Sequence, residues 1–576
     1  MRRLGTMAAA TVFGAFHVLS TDLSAQQTAI FSARDLVHPV HGEHGMVASQ
    51  EALATEIGLE VLKNGGNAVD AAVSVAFALA VTLPRAGNLG GGGFMMVHDA
   101  ESGETVAIDY REMSGEAATR DMYLDEEGEA DSEKSRFSGL AVGVPGTVAG
   151  MAYALERYGS ITLAEALAPA IKLASEGILV TGALSDSLKG LSDRLQKWPS
   201  SMAVFYKEDG VAYEPGEILV QADLAQSMTS IAEDGVSAFY EGPIAEKIVK
   251  AVSDACGHLT LDDFKSYEVK LREPITGTYR GYDIVSMPPP SSGGVHIVQI
   301  LNTLEGLPMD FLGHNSADSI HLMAEAMKVA YADRSEYLGD PDFVDVPIEA
   351  LTSKAYAADI LSGISRGRAA SAAEIAPGDL TPYESNETTH FSVVDAEGNA
   401  VANTYTINFS YGSGLVADGT GILLNNELDD FSAKPGVPNA YGLIGGDANA
   451  VEARKRPLSS MSPTLVLKDG KPFLVTGSPG GSRIITTTLQ VIMNVIDHGM
   501  NIAEATFAPR IHHQWLPDEL RIEEGLSPDT VHLLEQRGQN VVVKNAMGST
   551  QSIMVTENGL KGSSDPRRAG ALTLGY

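Results

Sequence analysis

A single cysteine in 576 residues, Cys256, excludes an intrachain disulfide and any cysteine-ligated metal site. Basic residues are scarce as well: 40 Lys and Arg stand against 74 Asp and Glu, a formal net charge of −34. A surface of that sign repels nucleic acid and anionic membranes and favours solubility, and added salt would screen its self-repulsion. No run reaches the ~18 apolar residues that a membrane span requires. Val69 to Leu83 comes nearest, but Asp70 and Ser74 interrupt it and Pro84 ends it, so it reads as a buried helix. Familiar catalytic signatures are also missing: there is no G-x-x-x-x-G-K-[ST], no H-E-x-x-H, and no S-x-x-K paired with K-T-G. Thr476-Gly477-Ser478-Pro479-Gly480 lacks the first glycine of a nucleophile elbow. His38, His41 and His44 with Glu43 have no matching second ligand group and read as a solvated extended segment; His512-His513 beside Trp515 reads as structural. Neither a metal nor a cofactor is expected.

What is present describes a globular enzyme. An apolar fraction of 44% and 59 glycines suit a folded, loop-rich chain, and its length calls for two lobes or one large layered domain. Arg2 and Arg3, the apolar stretch Met7 to Leu19, and the small pair Ser24-Ala25 form an export signal over residues 1–25. Export without disulfides points to a bacterial periplasm.

Residues 48–180 are α-rich: Leu53, Ile57 and Val61 recur at helical spacing before Gly65-Gly66, and Thr147–Tyr158 and Leu163–Gly177 repeat the pattern. Further helices are expected over Phe239–Cys256, Ala317–Tyr337, Ile485–His498 and Pro528–Gly538, with a mobile linker over Lys354–Glu384. Strands are expected at Phe94–His98 and Thr105–Tyr110. After Thr388 come the hairpins Phe391–Asp395 with Ala400–Thr406 and Pro463–Leu467 with Pro472–Thr476. Helices, strand pairs and helices again suggest an α+β architecture of sheets covered by helices, for which a four-layer αββα sandwich is one solution.

The chemistry centres on Asn386-Glu387-Thr388-Thr389-His390-Phe391-Ser392, where a polar stretch turns abruptly into a strand. Cutting the Glu387–Thr388 bond would give Thr388 a free α-amine beside its own hydroxyl, a nucleophile and a base within one residue. Gly477-Ser478-Pro479-Gly480-Gly481-Ser482-Arg483 precedes a helix and can turn backbone N–H groups toward a developing oxyanion. Arg111 ends a strand and could reach a carboxylate, with hydroxyls at Ser459 and Ser460; acids and amides gather at Asn425–Phe431. Such a pocket suits a zwitterionic amino-acid end with an acyl carbon attached. The run Gly87-Asn88-Leu89-Gly90-Gly91-Gly92-Gly93-Phe94 is not a dinucleotide loop, and reads as close backbone packing beside the site.

Taken in order, that glycine run, Asp109-Tyr110-Arg111-Glu112-Met113, Pro288-Pro289-Pro290-Ser291-Ser292-Gly293-Gly294, Thr388-Thr389-His390-Phe391-Ser392, Pro457–Pro463 and Gly477–Arg483 resemble the γ-glutamyltranspeptidases, members of the N-terminal-nucleophile hydrolases. The resemblance spans about Val47 to Tyr576. It implies self-cleavage before Thr388 into a large subunit, 26–387, and a small subunit, 388–576, that stay associated in the four-layer fold. It also implies that Thr388 is the nucleophile, that Thr406 tunes it, and that the Gly480 and Gly481 N–H groups form the oxyanion hole. Arg111, Ser459 and Ser460 would hold the substrate α-carboxylate; Asn408, Glu427 and Asp430 would hold the α-ammonium. Phe431 to Gly442, with Tyr441, resembles a lid loop. Substrates would be glutathione and other γ-glutamyl compounds, with water, amino acids or dipeptides as acceptors. Two alternatives stand beside this reading: an acylase of the same fold acting on glutaryl-type amides, and an uncleaved periplasmic protein that binds γ-glutamyl compounds.

Overall fold

The computed structural model describes residues 36–375, 388–437, 439 and 443–576. The export segment 1–25, Glu387 and Tyr441 lie outside the described residues.

Two seven-stranded sheets, antiparallel throughout, form the centre of the unit Val37–Tyr576. In neighbour order, one runs Val40–Gly42, Gly559–Ser564, Gln551–Thr556, Lys471–Thr476, Thr464–Lys468, Tyr282–Ser286, Ile275–Tyr279. The other runs Leu572–Gly575, Met46–Ser49, Thr389–Val394, Ala400–Thr406, Gly92–His98, Thr105–Tyr110, Lys270–Arg272. Both sheets interleave strands from before and after Thr388, so neither stretch alone completes a sheet.

Side-chain alternation separates the layers, because successive residues of a strand point to opposite faces. Phe94 and Met96 turn inward with Met46, Ala48 and Ala107, and meet Val285, Leu465, Val475 and Ile553 of the facing sheet. Met95 and Val97 turn outward with Val393, Val401 and Tyr405 to the helix Ala68–Thr82. That helix starts at a capping box made by Asn67 and Asp70, and every one of its residues is buried, as an all-round apolar helix requires. Helices Gly293–Glu305, Ala317–Tyr337 and Ile484–Ile496 cover the other sheet through Ile275, Ile284, Val466 and Leu474. The result is the four-layer αββα sandwich.

Two local expectations need correction. The segment Phe239–Cys256 is broken: Ser237–Tyr240 and Pro243–Asp254 are separate helices, because Pro243 removes a backbone donor and opens a new helix at its first position. Lys354–Gly363, assigned to the linker, is a helix capped by the Ser353 hydroxyl, and Ala372–Ile375 forms a further short turn; residues 376–384 of the linker lie outside the described residues.

The glycine run packs as expected. A Cβ on Gly91 would stand 2.1 Å from the Thr406 carbonyl oxygen, and one on Gly90 would stand 2.0 Å from that of Leu423. The same Thr406 carbonyl accepts from Asn88 Nδ2 at 3.0 Å, so the run fixes the end of the strand that carries Thr406.

Candidate active site

Thr389 pairs with Tyr405 in the hairpin, which sets Thr388 opposite Thr406 at the head of the strand. Thr388 Oγ1 donates to Thr406 Oγ1 at 3.3 Å, and Thr406 Oγ1 also accepts from the backbone N–H of Asn408 at 2.9 Å. Thr388 itself is almost fully buried. On the same face of the strand, His390 hydrogen-bonds Thr404 at 2.8 Å and Ser392 at 3.1 Å. Burial pushes the His390 pKa down to about 3, so this ring is neutral near pH 7, and both its nitrogens are engaged away from Thr388. It is not placed to act as a base on Thr388.

Thr388 opens into a pocket of about 320 Å³, its mouth included, lined among others by Arg111, Thr406, Asn408, Glu427, Asp430, Ser459, Ser460 and Gly481. Gly480 adjoins it one residue back in the turn, at φ 135° and ψ 22°, a conformation available to glycine. From there Gly481–Arg483 makes a 3₁₀ turn that leads into the helix Ile484–Ile496. The turn is held from behind: Tyr331 donates to the Ser482 carbonyl at 2.5 Å, and Ser482 Oγ donates to Gln514 at 2.7 Å, which His512 Nε2 also meets at 2.9 Å. His512 and Gln514 therefore support the site's geometry, in keeping with a structural part for His512.

The far side of the pocket is ionic. Arg111 leaves the strand Thr105–Tyr110 fully buried; it donates through Nη1 to Glu427, through Nη2 to Asp430 at 2.5 Å, and through Nε to the Pro457 carbonyl at 3.2 Å. Asn425 positions the acidic turn: its Oδ1 accepts from the backbone N–H groups of Gly143 and Glu427 at 3.0 Å each, while its Nδ2 donates to the Gly90 and Gly143 carbonyls. Asn408 Nδ2 donates to the Asn426 carbonyl at 2.9 Å. The connector Pro288–Gly294 backs the serines, with Ser459 N donating to the Pro290 carbonyl at 2.8 Å and Ser292 N to the Ser459 carbonyl at 2.9 Å.

The structure thus brings together every described residue assigned to the site from the sequence. It adds two that sequence reasoning left without a role. Glu112 is fully buried, 3.8 Å from Arg111 Nη1, and neither of its oxygens has a side-chain hydrogen-bond partner. Burial pushes its pKa up to about 7, against the pull of Arg111. Arg334, at the end of Ala317–Tyr337, also lines the pocket. Glu112 stood inside a recognised motif; Arg334 left no local signal.

A threonine heading an inner strand of an αββα sandwich, opposite a glycine turn at a helix N-terminus, defines an N-terminal-nucleophile hydrolase. The profile of the family described as "Gamma-glutamyltranspeptidase" matches residues 54–574, and the chain belongs to that family of enzymes. It is 60% identical over 544 residues to the glutathione hydrolase proenzyme of Escherichia coli (strain K12), covering 94% of this chain and 93% of the relative. Among solved structures it resembles the cephalosporin acylase from Bacillus halodurans (TM-score 0.81, 28% identity, 96% of this chain and 98% of the other). It also resembles the γ-glutamyltranspeptidase of Helicobacter pylori (TM-score 0.56, 47% identity, 57% of this chain and 93% of the other).

Proposed function

We propose that the protein is an exported, self-cutting γ-glutamyltranspeptidase that hydrolyses glutathione and related γ-glutamyl amides or passes their acyl group to amino acids and dipeptides. The observation that carries this reading is the Thr388–Thr406 hydroxyl pair set across one small pocket from Arg111, Glu427 and Asp430. A nucleophile and an ionic end-group clamp share a single cavity.

In maturation, Thr388 Oγ1 attacks the Glu387 carbonyl carbon, and water opens the resulting ester to leave residues 26–387 and 388–576 as associated subunits. The freed α-amine has a reference pKa near ~7.7–8.0, so a sizeable fraction is neutral at mildly alkaline pH and can take the Thr388 proton. Thr388 Oγ1 then attacks the γ-amide carbon, the oxyanion rests on the Gly480 and Gly481 N–H groups, and the protonated amine returns its proton to the leaving nitrogen. Water or an acceptor amine releases the γ-glutamyl ester. Arg111, Ser459 and Ser460 take the α-carboxylate; Asn408, Glu427 and Asp430 take the α-ammonium, the two acids turning from Arg111 toward the ligand's cation. This acidic pair disfavours a glutaryl acylase, whose substrate has no ammonium to meet it.

The test is a denaturing gel with a parallel turnover assay. Wild type should run as two bands and release glutamate from glutathione, with glycylglycine diverting the product to γ-glutamyl-glycylglycine. Thr388→Ala should run as one full-length band and release none. Two wild-type-sized bands from T388A would end the proposal.

A further inference from the structure

The pocket holds two buried arginines whose charges are balanced unequally. Arg111 faces Glu427 and Asp430 directly, and Glu112 lies behind it. Arg334 has no carboxylate within ion-pair distance among the described residues: its Nε donates to Ser292 Oγ at 2.9 Å and its Nη2 to Ser460 Oγ at 3.3 Å. Burial is the main force lowering the Arg334 pKa, to about 10; Arg111's like charge adds to it and Asp430 opposes it. A charge so far removed from water and left without a counter-ion is costly unless a ligand completes it.

The direction of the hydrogen bonds adds a second constraint. A guanidinium can only donate. Ser460 Oγ therefore spends acceptor capacity on Arg334, and its own proton has no acceptor among the described residues. Ser459 behaves alike: its Oγ accepts from Met461 N at 3.1 Å. Ser292, which also accepts from Arg334, sends its proton to the Ser459 carbonyl at 2.8 Å and so ties the guanidinium to the serine loop. Two hydroxyl protons and one uncompensated positive charge thus converge at one end of the pocket, an arrangement that suits an anion and disfavours an amide or an ammonium.

We propose that Arg334 is a specificity-determining binding residue for the α-carboxylate of the γ-glutamyl donor, supplying positive charge and occupying an acceptor site of Ser460 so that its proton turns to the ligand. This inference rests on the γ-glutamyl reading of the site and deepens it: Arg111, already occupied by the acidic pair, does not provide the anion selectivity alone.

The experiment compares two chromogenic donors, L-γ-glutamyl-p-nitroanilide and the same compound with its α-carboxylate replaced by a primary amide, on wild type, Arg334→Met and Arg334→Lys. Self-cutting into two bands and the melting temperature report folding. Wild type should strongly prefer the carboxylate. R334M should lose about 10–100-fold in kcat/KM on the carboxylate donor, the scale of a lost charge-assisted hydrogen bond, and change less than about threefold on the amide. R334K keeps the charge and should recover most of the preference. Equal losses on both donors in R334M would mark Arg334 as merely structural and overturn the proposal. Should R334M not fold, R334K decides alone: retained preference supports the inference, and loss of it in a folded, self-cut enzyme overturns it. Wild type inactive on both donors would remove the γ-glutamyl reading, and the inference with it.

Discussion

Arg456 reaches across the proposed cut to Asp109, its Nη1 donating to Asp109 Oδ2 at 2.7 Å with both side chains buried. The same carboxylate accepts from Arg272 Nε at 3.0 Å and from the backbone N–H of Arg111 at 3.0 Å. One buried acid therefore joins the 388–576 stretch to the 26–387 stretch and fixes the backbone of Arg111, which enters the ionic side of the pocket. Asp109→Asn keeps the shape but leaves the buried Arg456 guanidinium short of charge, while Arg272 keeps its pairing with Asp342. Removing one partner of a buried ion pair costs about 3–5 kcal/mol, so D109N should melt well below wild type and bind γ-glutamyl donors more weakly. Thermal melts and KM for glutathione check both. Wild-type values for the two together would show that the cluster does not bind the parts of the fold to one another.

Thr406 does two things with one oxygen, accepting from Thr388 Oγ1 and from Asn408 N. Thr406→Val preserves volume and β-branching while deleting both bonds, leaving the Asn408 N–H to find another acceptor. An unsatisfied buried donor costs about 1–3 kcal/mol, and here the misplacement falls on Thr388, the proposed nucleophile, so kcat should drop about 10–100-fold with a small change in melting temperature. Thr406→Ser should restore most of it. A T406V enzyme with wild-type kcat would mean that Thr388 needs no neighbouring hydroxyl.

How much of this was legible in the chain depends on the range of the forces involved. Strands Ala400–Thr406 and Thr105–Tyr110 could be read residue for residue, because β-branched and apolar runs bounded by glycine-containing turns are local signals. Thr388 stood out for a similar reason, as a small hydroxyl residue where a polar stretch meets a strand. The break at Glu241-Gly242-Pro243 was also a local signal, overlooked because apolar spacing resumes on both sides. Arg334 and Glu112 are of another kind. The first is one polar residue in a long helix whose site-facing side is chosen by packing against the sheet. The second acquires its raised proton affinity from full burial, in a niche so close that a Cβ on Gly92 would sit 2.8 Å from its Oε2. Arg111 stands 316 residues before Glu427, and no spacing rule links it to Glu427 or Ser460; in the sequence only complementary chemistry and the family resemblance could group them.

The turn at Gly480 and Gly481, proposed to hold the oxyanion, depends on backbone that a side chain would not tolerate. At Gly480, φ is 135°, yet an added Cβ would find its nearest neighbour, Gly548 Cα, at 3.5 Å, so there is room for alanine. The obstacle is torsional, about 1–3 kcal/mol, and the chain relieves it by rotating the peptide groups that flank position 480. Those groups carry the N–H donors. Gly480→Ala should lower kcat about 10²–10³-fold, as loss of an oxyanion donor does, while shifting the melting temperature by only a few degrees. Unimpaired kcat in G480A would remove this turn from the chemistry.

Glu112 gives the fold a pH dependence whose sign can be worked out. Its carboxyl has no side-chain hydrogen-bond partner, and burial raises its pKa from 4.5 to about 7 in spite of Arg111 and the neighbouring backbone N–H groups. Between those values the folded state holds a proton that the unfolded state has released, so stability falls as pH rises from about 4.5 to 7 and levels off above. The contribution lost is on the order of 1–3 kcal/mol. Glu112→Gln is neutral at every pH and removes this linkage. Urea midpoints measured from pH 4.5 to 8.5 should show E112Q gaining on wild type as the pH rises, with the gain complete just above 7. A constant difference across that range would mean that Glu112 is ionised throughout, with Arg111 holding its charge in place.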